Sequence, residues 1–221
     1  MCKREFKQYG FKPYRNNHYR IINSIFQSFC LHRSVYGNTA TVEFVILSLA
    51  QEYKIDKLTC GADHLRKFEN SAEWFLYENK SDKSIDECIV SMMGYMNKYL
   101  IPFFQYSTTS KNAYNAICEL DRINNSQLNE YTKLILSLKN QEYSVAELHM
   151  KNIISQSEYA YKRNKEVYGN NISSEYVKKI EAKIKHKNQF LQRIINKDFE
   201  FLQEWLQKNE ENNLQSLGAT K

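Results

Sequence analysis

The stretch Thr41-Val42-Glu43-Phe44-Val45-Ile46-Leu47-Ser48-Leu49 decides the fold class. Val42, Phe44 and Ile46 fall on one face of a period-2 pattern, and Val45 and Leu47 on the other. β-Branched and aromatic residues in such a run predict a well-buried strand. Working upstream, Gly37-Asn38 is a turn signal. Before it, Ile25, Phe29 and Leu31 alternate with Phe26, Ser28 and Cys30, and Tyr19-Arg20-Ile21-Ile22 precedes them. These segments predict one or two further strands. Residues 3–9 predict a short helix ending at Gly10, and Leu65–Phe68 a last short strand.

Working downstream, the period changes. Ser84-Ile85-Asp86-Glu87 reads as a capping box. Ile85, Ile89, Met92, Met96 and Leu100 follow at steps of 4, 3, 4 and 4, one face of a helix that Pro102 should stop. Ser110 can cap a helix bearing Ala113, Ile117 and Leu120. From Ser126 onward every apolar pattern is helical. Leu128, Tyr131, Leu134, Ile135 and Leu138 form one stripe. A second capping box, Ser144-Val145-Ala146-Glu147, opens a helix carrying Met150, Ile153, Ser157, Ala160, Asn164 and Val167, which ends at Gly169-Asn170. The short link between these two helices favours an antiparallel pair. Ser173 or Ser174 opens the last helix, whose stripe runs from Tyr176 to Leu206. Its roughly 35 residues would span about 50 Å. Because the stripe lapses at Lys187-Asn188, a bend there or a partner along the exposed part is expected.

The expected fold is α+β: a small antiparallel sheet packed on one side by helices, followed by an all-helical C-terminal extension. The boundaries read as 1–125 for the α+β part, 126–208 for the extension and 209–221 for a polar, disordered tail.

Composition narrows the function. The chain has 221 residues, 42% hydrophobic and 25% charged, an ordinary globular balance. Six glycines and two prolines exclude collagen-like and linker-like chains, and 16 Tyr with 12 Phe argue against global disorder. No apolar stretch approaches the about 18 residues of a membrane span. Met1-Cys2-Lys3-Arg4-Glu5 leads into no signal core, so a soluble cytoplasmic protein is expected. The five cysteines, at spacings of 28 and 30, form no Cys-x-x-Cys pair and predict no metal site. No cofactor is expected, since the phosphate-loop, dinucleotide, nucleophile-elbow and His-Glu-x-x-His patterns are all missing.

One acidic constellation could serve a metal-dependent nuclease: Glu52-Tyr53-Lys54 after the strongest strand, with Glu43 and Asp63 as further ligands. Glu78-Asn79-Lys80 and Glu181-Ala182-Lys183 match the same pattern equally. The strongest charge signal lies elsewhere. Lys178, Lys179, Lys183, Lys185, Lys187, Arg193 and Lys197 stand against a single acid, Glu181, between 178 and 197. Clustered cations suit an acidic protein or a nucleic acid. Trp205 could anchor such an interface.

The first 120 or so residues resemble a family of small bacterial α+β proteins classed as a domain of unknown function. The resemblance rests on Gly10-Phe11-Lys12, Tyr19-Arg20-Ile21-Ile22, Gln27-Ser28, Trp74, Ile101-Pro102-Phe103-Phe104 and Ser107-Thr108-Thr109, in that order. It implies an antiparallel sheet with helices packed on it, and no activity. The chain departs from the family in the Val42–Leu47 strand, which lacks the usual Asn and Gly.

Together these features favour a non-enzymatic intracellular protein-binding module, such as an immunity or defence-associated accessory protein. Its contact surface would be the extension, through a protein partner or self-association. The alternative is a nucleic-acid-binding or metal-dependent nuclease module using the basic helix.

Overall fold

The computed structural model describes residues 6–34, 38–59, 63–71, 74–77, 81–124, 129–169 and 173–219. Cys2, Gly37, Cys60, Glu78 and Lys80, which figured in the sequence reading, lie outside them. The chain divides into unit 1, residues 1–128 and 208–221, and unit 2, residues 129–207.

Unit 1 is an antiparallel sheet with helices, confirming the α+β expectation. β1 (Lys12–Tyr14), β2 (Asn17–Ile22), β3 (Ile25–Arg33), β4 (Thr39–Ser48) and β5 (Asp63–His64) pair in that order, and β6 (Phe75–Leu76) pairs with β4 as well. The β3/β4 register sets Phe29 opposite Phe44 and Phe26 opposite Leu47. On the Phe29 face, Phe6, Phe11 and Phe104 pack around Phe29, while Phe68 and Phe103 pack on Phe44. Gln27 is fully buried there, and its amide donates to the carbonyls of Phe104 and Ser107 at 2.9 Å. Arg20 donates to Gln27 Oε1 at 2.7 Å and to the Phe104 carbonyl at 2.9 Å. These bonds satisfy carbonyls that a helix end would leave without partners.

The other sheet face is covered too, where helices on one side only were expected. Phe26, Leu47, Leu49 and Ile55 form a core with Leu217, flanked by Leu214 and Ala219. The expected disordered tail is therefore wrong. The last helix, α7 (Phe199–Leu217), carries this tail in regular helix through Leu217. Asn213 Oδ1 accepts from the Ile55 amide at 2.7 Å, and its Nδ2 donates to the carbonyls of Leu49 at 2.8 Å and Gln51 at 2.9 Å. A doubly apolar β3/β4 pair needs a second cover, and residues 208–219 supply it.

Between the strands and unit 2 lie α1 (Asp82–Tyr95), α2 (Ile101–Tyr106) and α3 (Ser110–Asn124). Several expectations shift here. Leu65–Glu69 is a 3-10 helix rather than a strand, closed by Asn70 at φ 53°. Ser81, not Ser84, caps α1, accepting from the Ser84 amide. Thr109, not Ser110, caps α3. Pro102 does not stop the helix. A π-helical turn, Met96–Leu100, precedes it, and this wider turn, in which the Ile101 amide reaches back to the Met96 carbonyl, lets the helical backbone run through Pro102 into α2.

Unit 2 holds α4 (Glu130–Lys139), α5 (Tyr143–Tyr168), α6 (Ser174–Ile195) and the start of α7. α5 begins at Tyr143 with no side-chain cap, and Glu147 pairs with Lys151 instead of closing a box. Leu134, Leu138, Met150, Ile154, Phe190, Ile194 and Leu202 form the core. Beside it lies a buried polar cluster. His149 Nδ1 is 3.0 Å and Asn152 Nδ2 2.9 Å from Glu130 Oε2, and Lys133 Nζ is 3.2 Å from Oε1. The expected bend at Lys187-Asn188 is absent. The break comes at Asn196–Asp198, where Lys197 takes φ 52° and Asp198 accepts from the Phe201 amide.

A candidate interaction surface on the α5/α6 hairpin

Hydropathy along α5 and α6 explains what this hairpin exposes. Met150 and Ile154 on α5 and Phe190, Leu191 and Ile194 on α6 are buried under α4 and α7. Beyond them the apolar residues thin out. Among the described residues of 155–169 and 173–186, none is buried. In this distal half Val177, Ile180 and Ile184 of α6 stay half-buried, and polar contacts join the two helices beside them. Lys187 donates to Ser157 Oγ at 2.7 Å, Asn164 to Tyr176 Oη at 3.0 Å, and Tyr161 to Glu181 at 3.1 Å.

Those contacts fix which way each helix faces. At 3.6 residues per turn, Ala160, Arg163 and Val167 fall on one side of the seam, and Lys179 and Lys183 fall on that same side. Glu158 and Glu181 fall on the opposite side, Glu166 lies at the back of α5, and Glu175, one turn from Lys179, borders the face. One broad face therefore carries Arg163, Lys179 and Lys183, all exposed, around the small apolar residues Ala160 and Val167. A hollow of about 350 Å³ runs along its α5 half, lined by Tyr159, Ala160, Arg163, Asn164, Val167 and Tyr168. Tyr159, Tyr168 and Tyr176 are all exposed at its edges.

The basic run between 178 and 197 thus divides. Lys179 and Lys183 join the face, whereas Lys178 and Lys185 are exposed on the back of α6. Lys187 turns into the seam, where burial, and then the nearby Lys183 charge, lower its pKa. Arg193 pairs with Asp198 and lies 4.8 Å over the Phe201 ring. Trp205 is half-buried against Phe190, with ring centroids 4.7 Å apart, so it packs unit 2 rather than anchoring an outside partner. Lys197 serves the turn. A left-handed residue other than glycine costs about 1–2 kcal/mol, while glycine's extra chain entropy returns about 0.5–1 kcal/mol of that. Lys197→Gly should therefore stabilise unit 2 by up to about 1 kcal/mol, read as a higher urea midpoint by Trp205 fluorescence; a lower midpoint would contradict the strain.

Sequence reasoning missed Arg163 and the apolar centre because it followed charge along one helix. The signal was present in α5. Met150, Ile153, Ser157, Ala160, Asn164 and Val167 are spaced 3, 4, 3, 4 and 3 apart, the spacing of a helix seam.

The acidic constellation does not assemble. Glu43 lies 3.3 Å from His32, and Asp63 lies 2.6 Å from Lys67. Among the described residues, no three of His, Cys, Asp and Glu come together in a way that could hold a metal ion. No helix among them is long and apolar enough to cross a membrane. No family model, curated protein or solved structure matches the chain, so the resemblance of its first 120 residues stands on those residues alone.

Proposed function

We propose that the protein is a non-enzymatic binding module that holds an acidic protein through the α5/α6 hairpin. The observation that carries this reading is the face itself: Arg163, Lys179 and Lys183 converge from two helices, with Glu158 and Glu181 on the opposite side of the seam. Like charges held together on a folded surface raise the local potential and draw in an oppositely charged partner. The apolar hollow beside them gives that partner more than counter-charge to bury.

A nucleic acid would answer the same charges, and the test separates the two. The tagged protein is used to capture partners from native lysate with and without nuclease. The triple variant Arg163→Glu, Lys179→Glu, Lys183→Glu is run alongside. The expected result is an acidic protein recovered after nuclease treatment and lost by the variant. Exposed charge contacts contribute about 0.2–1 kcal/mol each, so losing three should weaken capture by about threefold to 150-fold. Recovery of nucleic acid, with proteins lost on digestion, would overturn the reading.

A further inference from the structure

The distal face continues a seam that the chain itself fills only halfway. On α5, Met150 and Ile153 occupy the proximal seam positions and pack in the unit 2 core. The same register carries on through Ala160 to Val167, where Val167 is 66% exposed. On α6, Lys183, Lys187, Phe190 and Ile194 are spaced 4, 3 and 4 apart along one row. Phe190 and Ile194 are buried, with Leu202 of α7 in the same core and Trp205 packed against it, while the row's distal positions are lysines. The proximal half of this groove is thus apolar and covered by a third helix. Its distal half keeps the seam spacing and small apolar residues on α5, and along the α6 row of Phe190 and Ile194 it carries Lys187 and Lys183, beside the half-buried Ile180 and Ile184.

Resting on the reading that the hairpin binds an acidic protein, we infer that the occupant of the distal groove is an acidic amphipathic helix. Its apolar stripe would lie on Ala160 and Val167, and its flanking carboxylates would meet Arg163, Lys179 and Lys183. The seven-residue separation of Ala160 and Val167 is one heptad, so apolar residues of the incoming helix at heptad spacing can seat beside both in turn. Ala160 has only a methyl side chain, which lets a third backbone approach closely. A second copy of this chain fits poorly, because it would set the same three cations against themselves.

The test uses the full chain and a fluorescein-labelled synthetic peptide of three heptads, with Ile at a, Leu at d and Glu at e and g, read by anisotropy and by the gain of helical circular dichroism on mixing. A polyglutamate chain of equal length and charge and a single-stranded oligonucleotide are the comparison probes. The expected result is that the heptad peptide binds at least about tenfold more tightly than polyglutamate and gains helix. Val167→Asp and, separately, Lys183→Glu should each weaken it about tenfold. Both positions are exposed, so the variants should melt like the parent, and Lys183→Glu tests the groove without touching the apolar seam. Equal binding of the heptad peptide and polyglutamate, or an unchanged affinity in Val167→Asp, would overturn the helix inference while leaving acidic-partner binding intact. Failure of both acidic probes, or tighter binding of the oligonucleotide, would overturn both.

Discussion

Deleting residues 208–221 should leave unit 1 without a cooperative unfolding transition. The deletion removes Leu214 and Leu217 from the core they share with Phe26, Leu47, Leu49 and Ile55. Each of those four would lose part of the about 1.5–3 kcal/mol that full burial of such a side chain contributes. It also removes Ser24's bond to Glu210 and all three bonds of Asn213. A domain typically has only about 5–15 kcal/mol in total. The gentler version is Asn213→Leu, which keeps the branching at Cγ and leaves the Ile55 amide and the Leu49 and Gln51 carbonyls without their present partner. At about 1–3 kcal/mol for each buried group left unsatisfied, the cost should be about 3 kcal/mol or more. Urea unfolding monitored by Trp74, in a Trp205→Phe background, isolates unit 1, because the chain has only two tryptophans. A deletion variant that kept a sharp transition at the parent's midpoint would show that the terminal helix is dispensable.

The second large effect is expected at Glu130. Burial pushes its carboxyl up, but hydrogen bonds from His149 and Asn152 and the charges of His149 and Lys133 outweigh that and hold it below its ordinary value of 4.5. A folded pKa below the unfolded one means the carboxylate's contribution is present above pH 4.5 and is lost as the pH falls through the folded value. Glu130→Leu removes the counter-charge from Lys133, which is itself buried. Breaking a buried pair by removing one partner typically costs about 3–5 kcal/mol. Glu130→Gln keeps the volume and an acceptor for Asn152, so it should cost less, and it should also flatten the acid limb of the stability profile. Both are read by Trp205 fluorescence in a Trp74→Phe background across pH 3–7. Equal costs for Leu and Gln, or an unchanged acid limb in Gln, would refute the assigned role.

Where the sequence was legible, one signal sufficed. The period-2 run through Val42–Leu47 gave β4, although the sheet was expected to carry helices on one side only. What covers the second face was harder to see. Asn209, Glu210, Glu211, Asn212 and Asn213 read as solvated, yet Asn213 is 3% exposed. A buried carboxamide is stabilised by backbone groups distant in sequence, and hydropathy does not register them. Pro102 misled for a related reason: its effect depends on whether the helix before it can widen, and Met96–Leu100 does. The binding face was half-legible. Lys179 and Lys183 stood in a run that also held Lys187, Arg193 and Lys197, and linear spacing does not show which of these turn inward or belong to a turn. Arg163 belongs to another helix, so only the pairing of α5 with α6 could bring it in.

The shared helix has a consequence for synthesis. Unit 1 is interrupted in sequence by Asn129–Gln207, so its sheet is made long before the residues that seal its second face. At about 5–20 residues per second, the roughly 80 intervening residues delay that seal by about 4–16 s. Through that interval the nascent chain presents Phe26, Leu47, Leu49 and Ile55 without their final cover, on strands that are already able to pair. This window, rather than the finished protein, is when the chain most needs a chaperone.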